Sequence, residues 1–151
     1  MKSIPVDIQI LNPLWSESDL CGATPGSCGL DLKACFSEQS RTLLPGKRTA
    51  IPAGVAIDIQ HPGIAGYVFS RSGLGTKQGL VVSQGVGVID PDYRGEIIVS
   101  LLNTSEEERT ITRGQRIAQL IFMPFMSPVF TVKDQLTTTQ RGAGGFGHTG
   151  E

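Results

Sequence analysis

Along this chain, hydrophobic and polar positions alternate with a period of two far more often than they recur at helical spacing. In GVAIDIQ (54–60), Val55, Ile57 and Ile59 fall on one side, and Ala56, Asp58 and Gln60 on the other. GYVFS (66–70), LVVS (80–83), EIIVSLLN (96–103), RTITR (109–113) and RIAQLIFMPF (116–125) have the same strand character. Nineteen glycines and nine prolines separate these runs with turn signals. Many short strands joined by turns predict an all-β fold, a jelly-roll-like β-barrel or sandwich. No long segment has capped helical periodicity, and the one helical turn expected is at SGLGTKQ (72–78). There is no internal repeat and no linker between domains. From about residue 133 the apolar pattern fades into KDQLTTTQRGAGGFGHTGE, which carries too little apolar surface to pack by itself. The expected division is therefore a β-barrel domain over 1–132 and a flexible C-terminal arm over 133–151.

Charge and composition narrow the function. Thirteen Lys and Arg stand against fourteen Asp and Glu, a net charge of −1. A general nucleic-acid binder is usually basic, so no nucleic-acid partner is expected. A polyanionic substrate would need a few cations gathered locally. The most apolar stretch, Ile117 to Phe130, is interrupted by Gln119, Pro124, Ser127 and Pro128, so no membrane partner is expected. The opening MKSIPVDIQIL puts Asp7 and Gln9 where a signal peptide needs an apolar core. The expected location is cytoplasmic, with the nucleus open for a viral or eukaryotic source. Cys21, Cys28 and Cys35 form no CxxC pair, and His61 and His148 lie far from them. Buried or partly buried reduced thiols are expected rather than a zinc site. Asn103-Thr104-Ser105 fits a glycosylation sequon, read here as coincidence.

Several short segments carry chemistry. GAGGFG (142–147) satisfies GxGxxG but has no helix after it, so a dinucleotide fingerprint is rejected. Gly46-Lys47 lacks the rest of a P-loop and reads as a turn. In RGAGGFGHTG (141–150), successive glycines let backbone N–H groups wrap an anion, Arg141 can grip a phosphate, and Phe146 can stack on a flat base. A featureless glycine-rich tail is the plainer alternative. Arg71, Ser72 and Gly73 close a strand with a cation, a hydroxyl and open backbone, which suits a phosphate equally as well as an ordinary loop with a surface ion pair. GVGVIDPDYRGEI (85–97) reads as a β-hairpin with Gly85 and Gly87 open to a ligand. Asp90 at its mouth is able to take a proton from water, and Tyr93 offers a ring face to a sugar. Asp92 is read as a turn cap. Gln119, polar among Ile117, Leu120 and Ile121, needs a partner such as a phosphate oxygen or a water. Arg116 is read as a structural ion pair at a subunit contact. Asp31 either approaches a metal's water shell or is a plain surface carboxylate.

Together SCGLDLKA (27–34), RSGLGTKQG (71–79), GVIDPDYRG (87–95), RGQRIAQ (113–119) and RGAGGFGHTG (141–150) closely resemble, in order and spacing, the motifs of the trimeric deoxyuridine triphosphatases. The resemblance covers nearly the whole chain. It implies a jelly-roll homotrimer that hydrolyses dUTP to dUMP and pyrophosphate with Mg²⁺. That reaction keeps uracil out of DNA and supplies dUMP for thymidylate synthesis. Asp90 would activate the attacking water. Arg71, Ser72, Gly73, Gln119 and Arg141 would hold phosphates. Gly87, Val88, Ile89, Asp90 and Tyr93 would recognise the deoxyuridine, with Phe146 and Gly147 closing over it. Gln84 stands where bacterial members often carry Asn and is kept as a uracil contact. Asp31 would touch the metal only through water. Each active site would draw on three chains. Two rival readings are a dCTP deaminase, which needs a Glu where Ser100 stands, and a non-catalytic binding protein built on the same barrel.

Overall fold

The computed structural model describes residues 3–22, 24 and 26–145. Eleven strands among them pair wholly antiparallel. Strand β1 (Val6–Ile10) pairs with β5 (Val55–Ile59), and β3 (Ser40–Leu43) with β10 (Arg109–Thr112). A four-stranded sheet runs in the order β2 (Gly29–Lys33), β11 (Arg116–Pro124), β6 (Ile64–Ser70) and β8 (Gly87–Ile89). A three-stranded sheet runs β4 (Arg48–Pro52), β9 (Ile98–Asn103), β7 (Leu80–Val82). The molecule is mostly strand with little helix, as a jelly-roll-like barrel requires.

Alternation sets which side chains turn inward. Val55, Ile57 and Ile59 are buried along β5 as the spacing predicts, and the small Ala56 is buried beside them. On β9, Val99 and Leu101 join Leu32, Ile51, Ile111, Ile117 and Leu120 in one core. Asn103 takes the next inward position on β9 and is fully buried. Its amide donates to the carbonyls of Leu43 and Glu107, both at 2.8 Å, and its oxygen accepts from the Ser105 N–H and hydroxyl at 3.0 and 2.7 Å. Those bonds offset the loss of water around a buried amide. They also put the sequon's Asn side chain out of reach of a glycan.

The predicted helical turn is α1 (Ser72–Gln78), its one buried side chain being Leu74. Gly79 ends it at φ 67°, where a Cβ would meet the Ser105 nitrogen at 2.8 Å. A 3₁₀ turn spans Glu17–Leu20.

Two expectations need correction. The 85–97 segment is not a hairpin of mutually paired strands. β8 pairs with β6, whereas β9 pairs with β4 and β7. The turn at Asp90 is present, with the Tyr93 N–H donating to the Asp90 carbonyl at 3.1 Å. Beyond it, Ile97 is buried and bonds through its backbone to Ala53 and Val55, which draws the chain into the other sheet. The cysteines are free thiols, but only Cys35 is buried; Cys21 and Cys28 are exposed. They flank a turn, closed by the Ser27 N–H donating to Thr24 at 2.9 Å, that lies outside the barrel wall.

After Pro124 the described chain, through 145, forms no helix or strand. Met126, Val129, Phe130, Val132 and Leu136 in it are each at least 86% exposed. No helix among the described residues is long and apolar enough to cross a membrane.

Candidate active site

Three elements build a polar cleft at one end of the four-stranded sheet. Cross-strand register aligns Asp31 on β2 with Gln119 on β11, and Gln119 with Phe69 on β6. β6 ends at Ser70, and Arg71 caps the start of α1. Asp31, Arg71, Ser72, Gly73 and Gln119 therefore line one opening of about 320 Å³ with Ser27, Cys28 and Gly29.

Hydrogen bonds fix its walls. Arg71 donates Nε–H to Asp31 Oδ1 at 3.0 Å and an Nη1 hydrogen to the Arg116 carbonyl at 3.0 Å. Arg116 donates to Asp31 Oδ2 at 3.3 Å. Asp31 is thus a carboxylate shared by two guanidinium groups, and Arg116 finds an ion-pair partner within its own chain. Two cations against one anion leave the cluster with one positive charge to spare. Gln119 donates to the Ser70 carbonyl at 3.1 Å. Gly73 has open space where a Cβ would stand. Hydroxyl, guanidinium and free helix-start N–H groups face the opening, an arrangement that suits an oxyanion.

Asp31 and Arg116 also line a second recess of about 220 Å³ with Ser18, Asp19, Cys21, Gly22 and Lys33. There Lys33 Nζ lies 2.6 Å from Asp19. Its hydrogen bond, with those from the Ser16 backbone and hydroxyl, lowers the Asp19 carboxyl to about 2.

The second group of expected residues sits on β8 and the turn after it. β8 is an edge strand of the four-stranded sheet, so one side of its backbone is unpaired there. Gly87 on it packs closely: a Cβ would come within 3.2 Å of Val68 and 3.4 Å of the Gln84 amide nitrogen. Val88 and Asp90 are exposed and Ile89 half-buried. Gln84 Oε1 accepts from the Ser83 hydroxyl at 3.1 Å, and that hydroxyl also lies 2.7 Å from Ser100 Oγ. The Tyr93 hydroxyl donates to the Glu96 carbonyl at 3.0 Å, laying the ring over Gly95. Glu96 itself accepts the Gly54 N–H at 2.8 Å through Oε1. Sequence reasoning missed Glu96, because a half-buried acceptor for a main chain 42 residues away leaves no local pattern.

These two groups do not meet within one chain. Ile89 pairs with Gly66, and Asp90 lies one step further from Arg71. At about 3.3 Å of rise per residue, six residues separate the two levels by ~20 Å along β6. Arg141 also stands apart. It is exposed and donates Nε–H to the Gly144 carbonyl at 2.9 Å in its own turn. Phe146, Gly147 and His148 lie outside the described residues. Among the described residues no three His, Cys, Asp or Glu side chains converge as a metal-ligand set.

A family model described as dUTPase matches residues 17–150. Among curated relatives, the deoxyuridine 5'-triphosphate nucleotidohydrolase of Desulfitobacterium hafniense is 49% identical over 128 residues, 85% of this chain and 84% of that protein. The protein of the same description from Cronobacter sakazakii is 45% identical over 147 residues, covering 96% of each. Among solved structures, a mutant dUTPase of Staphylococcus bacteriophage 80alpha with dUpNHpp superposes with a TM-score of 0.83 at 22% identity, over 97% of this chain and 99% of that one.

Proposed function

The chain belongs to the dUTPase family, and from that membership we propose that it hydrolyses dUTP to dUMP and pyrophosphate. The observation that carries this reading is the pair of unlike surfaces at opposite ends of one sheet. One is a cationic, hydroxyl-bearing cleft around Arg71, Ser72 and Gln119. The other is an edge strand carrying an exposed carboxylate, Asp90.

The chemistry follows from those groups. Asp90 takes a proton as a water oxygen attacks the α-phosphorus. The bond from that phosphorus to the α–β bridging oxygen breaks, and the electron pair leaves with pyrophosphate. Arg71, Ser72 and Gln119 hold the phosphates, joined by Arg141 and the terminal arm over 133–151. Mg²⁺, when bound, would offset the triphosphate's charge; Asp31, already paired with Arg71 and Arg116, would reach it only through water. The unpaired backbone edge of β8, with Gln84, reads uracil's donors and acceptors, and Tyr93 packs against the sugar. Phe146 and Gly147 close over the base. The product dUMP then serves thymidylate synthesis, and removal of dUTP keeps uracil out of DNA.

A homotrimer supports this division of labour. With Asp90 and Arg71 ~20 Å apart along β6, a single chain offers one nucleotide only half a site. A neighbouring chain completes it. The exposed Val129, Phe130, Val132 and Leu136 of the terminal segment supply apolar surface for such an assembly.

Pyrophosphate release from dUTP, dTTP, dCTP and UTP, with a sedimentation mass for the assembly, tests the reading. dUTP is the substrate expected. Asp90→Asn should keep nucleotide affinity and lose turnover by about 10²- to 10⁴-fold, the usual contribution of a general base. Near-normal turnover in that variant would end the assignment. Ammonia release from dCTP would favour a deaminase instead.

A further inference from the structure

We infer that Glu96 is a positioning residue for the Tyr93 ring and thereby a determinant of selection between deoxyribose and ribose nucleotides. This rests on the proposed dUTP hydrolysis, with Tyr93 against the sugar.

The geometry makes Glu96 a post on which the ring hangs. The Tyr93 hydroxyl donates to the Glu96 carbonyl at 3.0 Å. The ring then lies over Gly95, where a Cβ would sit 2.6 Å from Cζ, so any larger residue would push the ring away. The carbonyl is held in place from two sides. Glu96 Oε1 accepts the Gly54 N–H at 2.8 Å. The next residue, Ile97, is buried, donates to the Val55 carbonyl at 2.9 Å and accepts from the Ala53 N–H at 2.8 Å. Gly54 in turn cannot drift. It sits at φ 73°, and a Cβ there would be 2.7 Å from both Cys35 Sγ and the Asn12 Cβ. The carboxylate therefore ties the loop carrying Tyr93 to the rigid corner between β4 and β5. Tyr93 is 43% exposed, and its hydroxyl's bond to the Glu96 carbonyl is the polar contact that sets the ring's angle. A sugar 2′-hydroxyl is excluded only by a wall that does not yield, and Glu96 is what stiffens this wall.

The test measures kcat and KM for dUTP and UTP on wild type, Glu96→Ala, Glu96→Gln and Tyr93→Phe, with thermal midpoints alongside. Glu96→Ala should lower the dUTP-to-UTP ratio of kcat/KM by about tenfold, one methylene-sized step of discrimination, while kcat for dUTP stays within a few-fold. Glu96→Gln should keep the wild-type ratio, because its amide oxygen still accepts the Gly54 N–H. Tyr93→Phe should shift the ratio in the same direction as Glu96→Ala, and the double variant should add little to either. An unchanged ratio in Glu96→Ala, or an equal loss in Glu96→Gln, overturns the inference. If Glu96→Ala fails to fold, an unchanged ratio in Tyr93→Phe overturns it. A wild-type protein that does not hydrolyse dUTP sinks the functional reading first and the inference with it.

Discussion

Asp31 shows how much a single side chain's role depends on partners far along the chain. Its sequence context leaves open a metal's water shell or a plain surface position. The fold brings Arg71 and Arg116 to it from 40 and 85 residues away, and no local pattern reports such distances. For Gln119 the need of a partner was legible, because a polar residue among apolar strand neighbours has to find one, but the partner within the chain is the Ser70 carbonyl, which no local pattern announced. Asp19 gives a prediction at this scale. Its carboxyl is held at about 2, chiefly by Lys33 and then by Ser16, below the ordinary 3.8. A lowered folded-state value stabilises the ionised form. The contribution is whole above about pH 4 and is lost as pH falls through about 2. Asp19→Asn should therefore be less stable than wild type at pH 7, with the gap narrowing between pH 4 and pH 2. Urea midpoints measured across that range check it, and a gap independent of pH would refute the ion pair's share.

Among elements, the legible strands fall in two groups: β5, β6, β9 and β11 combine β-branched residues with a buried face, while the shorter β7 and β10 showed through an apolar run and a Thr-Ile-Thr alternation. The missed ones, VDIQI, SRTL and RTAIP, are half polar, and one ends in proline. They become strands because a partner strand supplies the missing hydrogen bonds. The misread hairpin has the same origin. A turn is visible in Asp90–Tyr93, but which sheet receives the next strand depends on Ile97 reaching the core. Helix α1 falls on the one helical turn expected, and Gly79 ends it. Gly79→Ala should cost about 2 kcal/mol from the left-handed backbone alone. The clash with Ser105 adds to that and disturbs the two hydrogen bonds from Thr104 to the Gly79 carbonyl. Chemical denaturation reads the loss directly. A change below about 0.5 kcal/mol, the size of an ordinary surface substitution, would mean that the 103–105 turn simply moves aside.

For the molecule as a whole, the sequence made the all-β class plain, but not the distance between Arg71 and Asp90. Arg71 and Asp90 are 19 positions apart in neighbouring motifs, and it was the family resemblance, not their spacing, that implied they serve a site from different chains. The register of β8 on β6 sets them at levels ~20 Å apart along the sheet. That spacing has a genetic consequence. Asp90→Asn and Arg71→Ala chains, each inert alone, should rescue one another when unfolded and reassembled together. In the proposed homotrimer, every mixed ring would contain one junction where an unaltered carboxylate faces an unaltered guanidinium. Activity should rise from nothing as the mixing ratio nears equality and fall again on either side, whereas a self-contained monomer would stay dead at every ratio.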